Sequence, residues 1–325
     1  MRSVSHVPRI SVVIPAYNSE LYITSALRSA LDSGEPDLEV IVVNDGSTDQ
    51  TVSAVRAVDD PRVSLTSIAP SGGPSRPRNV GIALARAPYV SLLDSDDLLK
   101  PGKLTASVVA LDHCPSAGFA FGNFEKIDED GNVFETSFSY AYPVFCAIKS
   151  EPVEDGWQLI SQMSLAKALL YENFISTSGV VVRKDLVTKL GGFEETIGFG
   201  EDLDLWFRLA HCCDALYTDT VGHAYRVHSA GVVRGSPPIR NAISGIAALR
   251  REKARWHERS ARRQLDRRIA EMVAAIGRQQ RLQGRRWSAM YSYLQAYATS
   301  PESRWLTNLI ATALLTPESE SWRRE

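Results

Sequence analysis

Residues 87–97 read APYVSLLDSDD. The run through Tyr89–Asp94 has the character of a buried strand, yet it ends in three carboxylates within four positions: Asp94, Asp96 and Asp97. Like charges this close repel, and each resists leaving water. A divalent cation would remove both objections. The plain alternative is a solvated acidic turn capping a helix that starts near Pro101. Leu92, Leu93, Leu98 and Leu99 flank the acids and argue for a partly buried site instead.

Upstream, ISVVIP (10–15) and LEVIVV (38–43) are short β-branched runs without clean alternation, which suits parallel strands covered on both faces. Between them Ile23, Ala26, Leu27, Ala30 and Leu31 fall at helical spacing. The pattern predicts a helix over 48–58, a strand over 63–68, a helix over 77–85 and a strand over 89–94. Strands alternating with helices predict an α/β fold with a mostly parallel sheet, and ligands in such sheets bind at the carboxyl ends of the strands. Those ends are polar here: Ala16-Tyr17-Asn18, then Asn44-Asp45-Gly46-Ser47-Thr48-Asp49, then Asp94-Ser95-Asp96-Asp97. Asn, Asp, Gly and Ser also serve as turn formers and helix caps, and Thr48 or Asp49 fits that simpler role. Three polar ends on one sheet edge point to a binding site.

The composition narrows the class. The 325 residues are 44% hydrophobic and 23% charged with a formal net charge of −2, so the chain is globular and has no overall pull toward nucleic acid. Cys114, Cys146, Cys212 and Cys213 lack paired CxxC spacing and read as free thiols in a reducing, cytoplasmic compartment rather than as a zinc site. Met1–Arg9 does not read as a signal peptide, and no apolar run approaches the ~20 residues of a membrane span.

Four segments occur in order: ISVVIPAYN, VVNDGSTD, PRNVGIALARAPYVSLLDSDD and GFGEDLDLWFRL. Together they resemble glycosyltransferase family 2, inverting nucleotide-sugar transferases of the GT-A fold, over roughly residues 10–230. The resemblance implies a GT-A-type, Rossmann-like sheet flanked by helices, and a Mn²⁺ or Mg²⁺ ion carrying the donor's diphosphate. It implies that Pro15, Ala16 and Tyr17 line the base pocket, with Asp45 accepting from the base N–H, a contact that selects uracil or thymine, and a UDP-linked donor is the favoured expectation. Arg78 falls near the diphosphate, Asp94 and Ser95 near the ribose or donor sugar, and Glu20 is a helper. Asp96 is the implied metal ligand, with His228 reaching the metal or phosphates unless it is structural. Asp97, Arg226 and Trp206 are further candidates for contact with acceptor or phosphate.

Within GFGEDLDLWFRLA (198–210), helical spacing from Asp202 places Leu205, Trp206 and Leu209 on the same inward face and sets Glu201, Asp204 and Arg208 mostly off it. Asp202 is then a cap or a working base, and the resemblance makes it the general base, with Glu201 orienting it or the acceptor. Gly191-Gly192-Phe193 reads as a turn laying the acceptor wall.

Two regions match no motif. Residues 124–178 hold Phe134, Phe138, Tyr140, Tyr142, Phe145 and Trp157, which serve equally well as sugar-stacking rings or as core anchors. Residues 250–286 carry 13 Arg/Lys and four Asp/Glu, a local net of +9 against −11 for the rest of the chain. That asymmetry suits an anionic partner, such as the inner face of the plasma membrane, a lipid-linked acceptor or a polyanionic glycan; a solvated helix face is the simpler reading. From Trp287 onward the chain reads as a helical pair that docks on the catalytic domain or forms a homodimer. The expected division is a catalytic domain over 1–240, with a nucleotide half (1–123) and an acceptor half (124–240), then a basic helical region over 241–325. A sugar nucleotidyltransferase would need a Gly-rich basic loop after the first strand, which PAYNSE lacks. A degenerate binding protein would have lost Asp96 or Asp202. A processive synthase would carry membrane spans. Single-sugar transfer is the expectation that remains.

Overall fold

In the computed structural model, residues 7–137, 141–229 and 238–314 are described; Phe138 and Tyr140 lie outside them. The chain divides into two compact units between Arg234 and Gly235. The first begins β1 (Ile10–Ala16), α1 (Ile23–Leu31), β2 (Leu38–Asn44), α2 (Thr51–Arg56), β3 (Val63–Ser67), α3 (Ser75–Leu84) and β4 (Tyr89–Leu92). It continues β5 (Leu98–Leu99), α4 (Lys103–His113), β6 (Ala117–Ile127), β7 (Val133–Glu135), α5 (Pro143–Cys146), β8 (Glu151–Pro152) and β9 (Trp157–Ile160). Then follow α6 (Gln162–Leu169), β10 (Val181–Arg183), α7 (Lys184–Lys189), α8 (Glu201–Ala210) and β11 (Asp214–Arg226).

The strands form one sheet in the order β3-β2-β1-β4-β10-β6-β11-β9-β8, with β5 on β11 and β7 on β6. β3, β2, β1 and β4 are mutually parallel, and β11 runs parallel to β6 over a long ladder, so most ladder positions are parallel. The three-residue β10 enters antiparallel between β4 and β6 and joins the two parallel halves. β1 and β2 are buried at every residue, which is why neither alternates in sequence. The face of α1 expected to be apolar, Ile23, Ala26, Leu27, Ala30 and Leu31, is the face it buries. α3 lies so close to β1 that a Cβ on Gly81 would meet Val13 Cγ1 at 2.3 Å. Packing of this kind fixes where each strand ends, and the ends of β1, β2 and β4 share one edge.

The second unit is helical: α9 (Pro238–Arg255), α10 (Arg259–Leu282), α11 (Arg286–Thr299) and α12 (Ser303–Leu314). Each packs on the next, around Leu249, Leu265, Ile269, Tyr293 and Trp305. No described helix is long and apolar enough to cross a membrane.

Candidate active site

The loops leaving β1 and β2 are fastened to each other. Asn18, at φ 47°, donates its backbone N–H to Ser47 Oγ (3.0 Å) and accepts from the Thr48 N–H (2.9 Å). Glu20 accepts from the Gln50 N–H at 2.7 Å, and its own N–H donates to Asp49. Asp49 accepts from the Thr51 N–H and hydroxyl at the start of α2, the capping role allowed for it. Pro15 and Ala16 are buried, whereas Tyr17 presents its ring to solvent at 58% exposure. Asp45 is buried, and both its oxygens accept from Ser71, from the N–H at 2.9 Å and the hydroxyl at 2.8 Å.

The acids after β4 point in different directions. Ser95 shares a hydrogen bond with Ser19 (2.8 Å), joining this turn to the loop after β1. Asp96 stays partly exposed, with Oδ2 2.9 Å from His228 Nε2. The His228 ring packs against Tyr22, centroids 4.9 Å apart. Asp97 turns inward. It is 1% exposed and accepts from the Ser178 hydroxyl (2.6 Å) and the Arg226 N–H (2.8 Å). Burial, then Asp96 and Asp94, push its carboxyl well above the usual carboxylate range. Asp97 therefore braces the turn and does not face an acceptor. Arg226 is partly committed: Nε donates to the Asp96 carbonyl and Nη1 to the carbonyls of Asp128 and Glu129, and the guanidinium lies over the Tyr22 ring.

Arg78, on α3, is 3% exposed. Nη2 donates to Asp94 Oδ1 at 2.6 Å and Nη1 to Glu201 Oε1 at 2.7 Å, with Phe193 against its plane at 5.0 Å. Burial works against its charge, but the two carboxylates more than offset that and raise its pKa. The two guanidinium Nη atoms of Arg78 thus join acids that lie far apart in the sequence, while its Nε is buried without a hydrogen-bond partner. The Gly191-Gly192-Phe193 turn supports this group. Asn79 clasps the Phe193 backbone N–H (2.7 Å) and carbonyl (2.9 Å), and a Cβ on Gly192 would meet Asn79 Oδ1 at 2.3 Å.

Gly200, at φ 80°, precedes α8. Asp202 Oδ2 accepts from Asn173 Nδ2 at 2.9 Å and Oδ1 from the Leu203 N–H at 2.7 Å. Burial raises the Asp202 carboxyl, while Asn173, Leu203 and Arg78 pull it back. Glu201 is 8% exposed; burial lifts it to about 7, Arg78 opposing and Asp202 adding. The helical-face argument fails for the neighbours. Asp204, expected off the inward face, is fully buried and bonded to Arg208 at 2.9 Å, because α8 is covered nearly all round. Trp206 has no exposed surface and stacks on Phe119, so it cannot touch an acceptor.

Several residues were not legible beforehand. Asn173 holds Asp202, and Ser178 ties the Asp94 N–H to Asp97. Tyr142, one of the ambiguous aromatic residues of the sequence, is pushed up to about 12 by burial and by Glu172, Glu135 and Asp202. Among the ambiguous aromatic residues, Phe145 and Trp157 are core, while Phe134 is exposed.

A family model described as glycosyl transferase family 2 matches residues 11–176. The chain belongs to glycosyltransferase family 2. It is 37% identical over 129 residues to the succinoglycan biosynthesis protein ExoO of Rhizobium meliloti, covering 40% of this chain and 37% of that one. It is 27% identical over 209 residues to the hyaluronan synthase of Pasteurella multocida, covering 64% of this chain and 19% of that one. The chain thus spans about a third or less of these relatives' lengths. Among solved structures, Staphylococcus aureus TarS 1–349 in complex with UDP-GlcNAc matches with a TM-score of 0.62 at 18% identity, over 94% of this chain and 89% of that one. A mannosyltransferase from Pyrobaculum calidifontis, in complex with GDP-Man and Mn²⁺, matches with a TM-score of 0.57 at 20% identity, over 96% and 82%. The mostly parallel sheet flanked by helices is therefore the GT-A fold of this family.

Proposed function

We propose that this protein is a glycosyltransferase that moves one sugar from a nucleoside-diphosphate donor to an acceptor hydroxyl with inversion, and that UDP is the nucleotide. The observation that carries the reading is Arg78, whose two carboxylate partners bring the turn after β4 and the start of α8 to one place although they lie more than a hundred residues apart. On that reading the Asp202 carboxylate accepts the acceptor's hydroxyl proton. The acceptor oxygen forms a bond to the anomeric carbon as the bond from that carbon to the diphosphate oxygen breaks on the opposite face. A single displacement inverts the centre. The raised pKa of Asp202 suits a base, since proton transfer is best served by a group closer to neutrality than a free carboxylate.

Asp96 and His228 fit a divalent ion. A hard carboxylate oxygen and a borderline imidazole nitrogen stand 2.9 Å apart at a partly open edge, close enough to share one ion. Among the described residues no group of three or more metal-ligating side chains converges, so these two with diphosphate oxygens and water would form the set, as Mg²⁺ and Mn²⁺ commonly arrange. Bound there, the ion would neutralise charge developing on the leaving diphosphate. The bound Mn²⁺ of the Pyrobaculum mannosyltransferase and the UDP-GlcNAc of TarS support the metal and the nucleotide respectively. Pro15, Ala16, Tyr17 and Asp45 would hold the base. Asp94 would meet the donor sugar through its oxygen not engaged by Arg78. Glu20 and Ser95 shape the loops around it. The succinoglycan biosynthesis protein and the hyaluronan synthase among the relatives support a glycan or lipid-linked hydroxyl as the acceptor. The free thiols among the described residues fit a cytoplasmic setting.

The test is a thermal-shift screen of the purified protein with UDP, GDP, CDP and dTDP, each with Mn²⁺, Mg²⁺ or chelator. A ligand at about 100 times its Kd adds about 2.7 kcal/mol of stability. A shift with UDP that chelator abolishes is expected. A shift with no nucleotide would overturn the donor assignment, and a shift indifferent to chelator would overturn the metal.

A further inference from the structure

One end of the helical unit concentrates exposed apolar side chains and unpaired cations. Leu282 at the end of α10, Trp287, Tyr291 and Leu294 on α11, and Ile310 and Leu314 on α12 are all more than half exposed; Trp287 reaches 78% and Leu314 74%. Trp287, Tyr291 and Leu294 follow at intervals of four and three, so they share one face of α11, while Ala289, Ser292, Tyr293 and Ala296 are buried on the other. Arg286 donates to the Ala313 carbonyl, which brings the Leu314 end of α12 beside the start of α11.

Among the described residues the charge around this face has one sign. Arg278, Arg281 and Arg285 recur with Leu282 along one side of α10 and the following turn, and Arg286 comes next. None of the four has a carboxylate partner among the described residues. From 272 to 314 the sequence contains one acid, Glu302, and it lies across from this corner, where it pairs with Arg267 and Arg304. A solvated helix face intersperses both signs and does not carry exposed Trp, Tyr and Leu together. A second copy of the chain is a poor occupant. A two-fold interface sets each patch against itself, so the arginines would gather around the seam with nothing to neutralise them.

We infer that the corner formed by α10, α11 and the end of α12 is a docking surface for an anionic lipid bilayer, with Trp287, Tyr291 and Leu282 entering the headgroup boundary and the arginines meeting lipid phosphates. The amphipathic rings suit that depth, apolar on one side and wet on the other. The cations supply an attraction that falls off within a Debye length of the surface. The inference stands on the helical unit alone and does not depend on the sugar-transfer reading.

The test is co-sedimentation of the full chain with vesicles of phosphatidylcholine alone, or of phosphatidylcholine with about a third phosphatidylglycerol, the anionic fraction that carries the surface potential. Binding is expected to the anionic vesicles only, and to weaken as salt rises. Trp287→Ser with Tyr291→Ser, and separately Arg281→Gln with Arg285→Gln, should each weaken partitioning by about tenfold. Trp287, Tyr291 and Arg285 are exposed and Arg281 is half-buried, and thermal melts of both variants check that the fold is kept. Absence of binding to anionic vesicles, or equal binding to neutral ones at all salt concentrations, overturns the inference. So does a dimer in light scattering that Trp287→Ser dissolves.

Discussion

Asn173 donates its side-chain amide to Asp202 at 2.9 Å, linking a loop residue with no sequence signature to the carboxylate at the start of α8. The bond fixes one oxygen of that carboxylate and, with the Leu203 N–H on the other, restrains its rotamer. If Asp202 is the base, Asp202→Asn should leave UDP binding intact and lower turnover by about 100-fold or more. Unaltered turnover would take Asp202 out of the role.

Asn173→Ala should act on pH dependence. The Asn173 bond favours the charged form of Asp202 against burial, so its loss raises the Asp202 pKa further. A base works deprotonated, and the rate therefore climbs as pH rises through that pKa. The acidic limb of kcat/KM should move to higher pH in Asn173→Ala, with activity recovered at alkaline pH. A limb that stays in place would separate Asn173 from the base.

Asp96→Ala and His228→Ala should each remove the chelator-sensitive part of the UDP thermal shift. The His228 variant is expected to keep some of it, because a carboxylate is the stronger partner for a hard cation. Titration of Mn²⁺ against each variant measures this. Equal metal affinity in all three proteins would move the metal elsewhere.

Gly179→Ala tests the support beneath the turn after β4. A Cβ there would stand 2.7 Å from His223 Cε1, and the ring cannot retreat because it stacks on Phe124 with centroids 5.0 Å apart. The expected cost is about 1–3 kcal/mol, readable by chemical denaturation. Gly179 follows Ser178, which holds both Asp94 and Asp97, so nucleotide binding should weaken as well.

Lys103 is buried, with Ser107 as its hydrogen-bond partner and Trp157 beside it, and burial brings its pKa down to about 7 from 10.5. Between those values the unfolded chain holds more protons than the folded one, so stability from this group rises as pH increases from 7 to 10.5. Lys103→Met should raise the Tm at pH 7, by about 2–4 °C per kcal/mol recovered, and flatten that rise. A lower Tm would show that the ammonium contributes more through Ser107 and Trp157 than its burial costs.

The sequence exposed the parallel strands and their polar ends because both are local properties: apolar runs without alternation, then turn formers. The face of α1 was legible for the same reason. What escaped it depends on partners far along the chain. Nothing near Asp96 and Asp97 distinguishes the carboxylate that faces outward from the one that faces in; Ser178 and Arg226 decide that. Nothing in the sequence around Arg78 announces Asp94 and Glu201 as its partners. The α8 face argument assumed a helix with one wet side, whereas Asp204 is paid for by Arg208 inside the protein. The basic stretch 250–286 mixes cations paired with Glu252, Asp266 and Glu271 with Arg278, Arg281 and Arg285, which have no carboxylate partner among the described residues, a distinction visible only once the helices are packed.

Ser71 occupies both oxygens of Asp45 before any base can. If a nucleobase reaches that carboxylate, it either shares the lone pairs left beside the N–H and hydroxyl already in place or displaces the serine. On displacement, a base with a suitably placed N–H restores what is broken. One that offers only acceptors leaves a buried carboxylate short of hydrogen bonds and is penalised by the full cost of that loss. Selectivity among nucleotides would then arise less from attraction to the right base than from the serine's readiness to return when the wrong one enters.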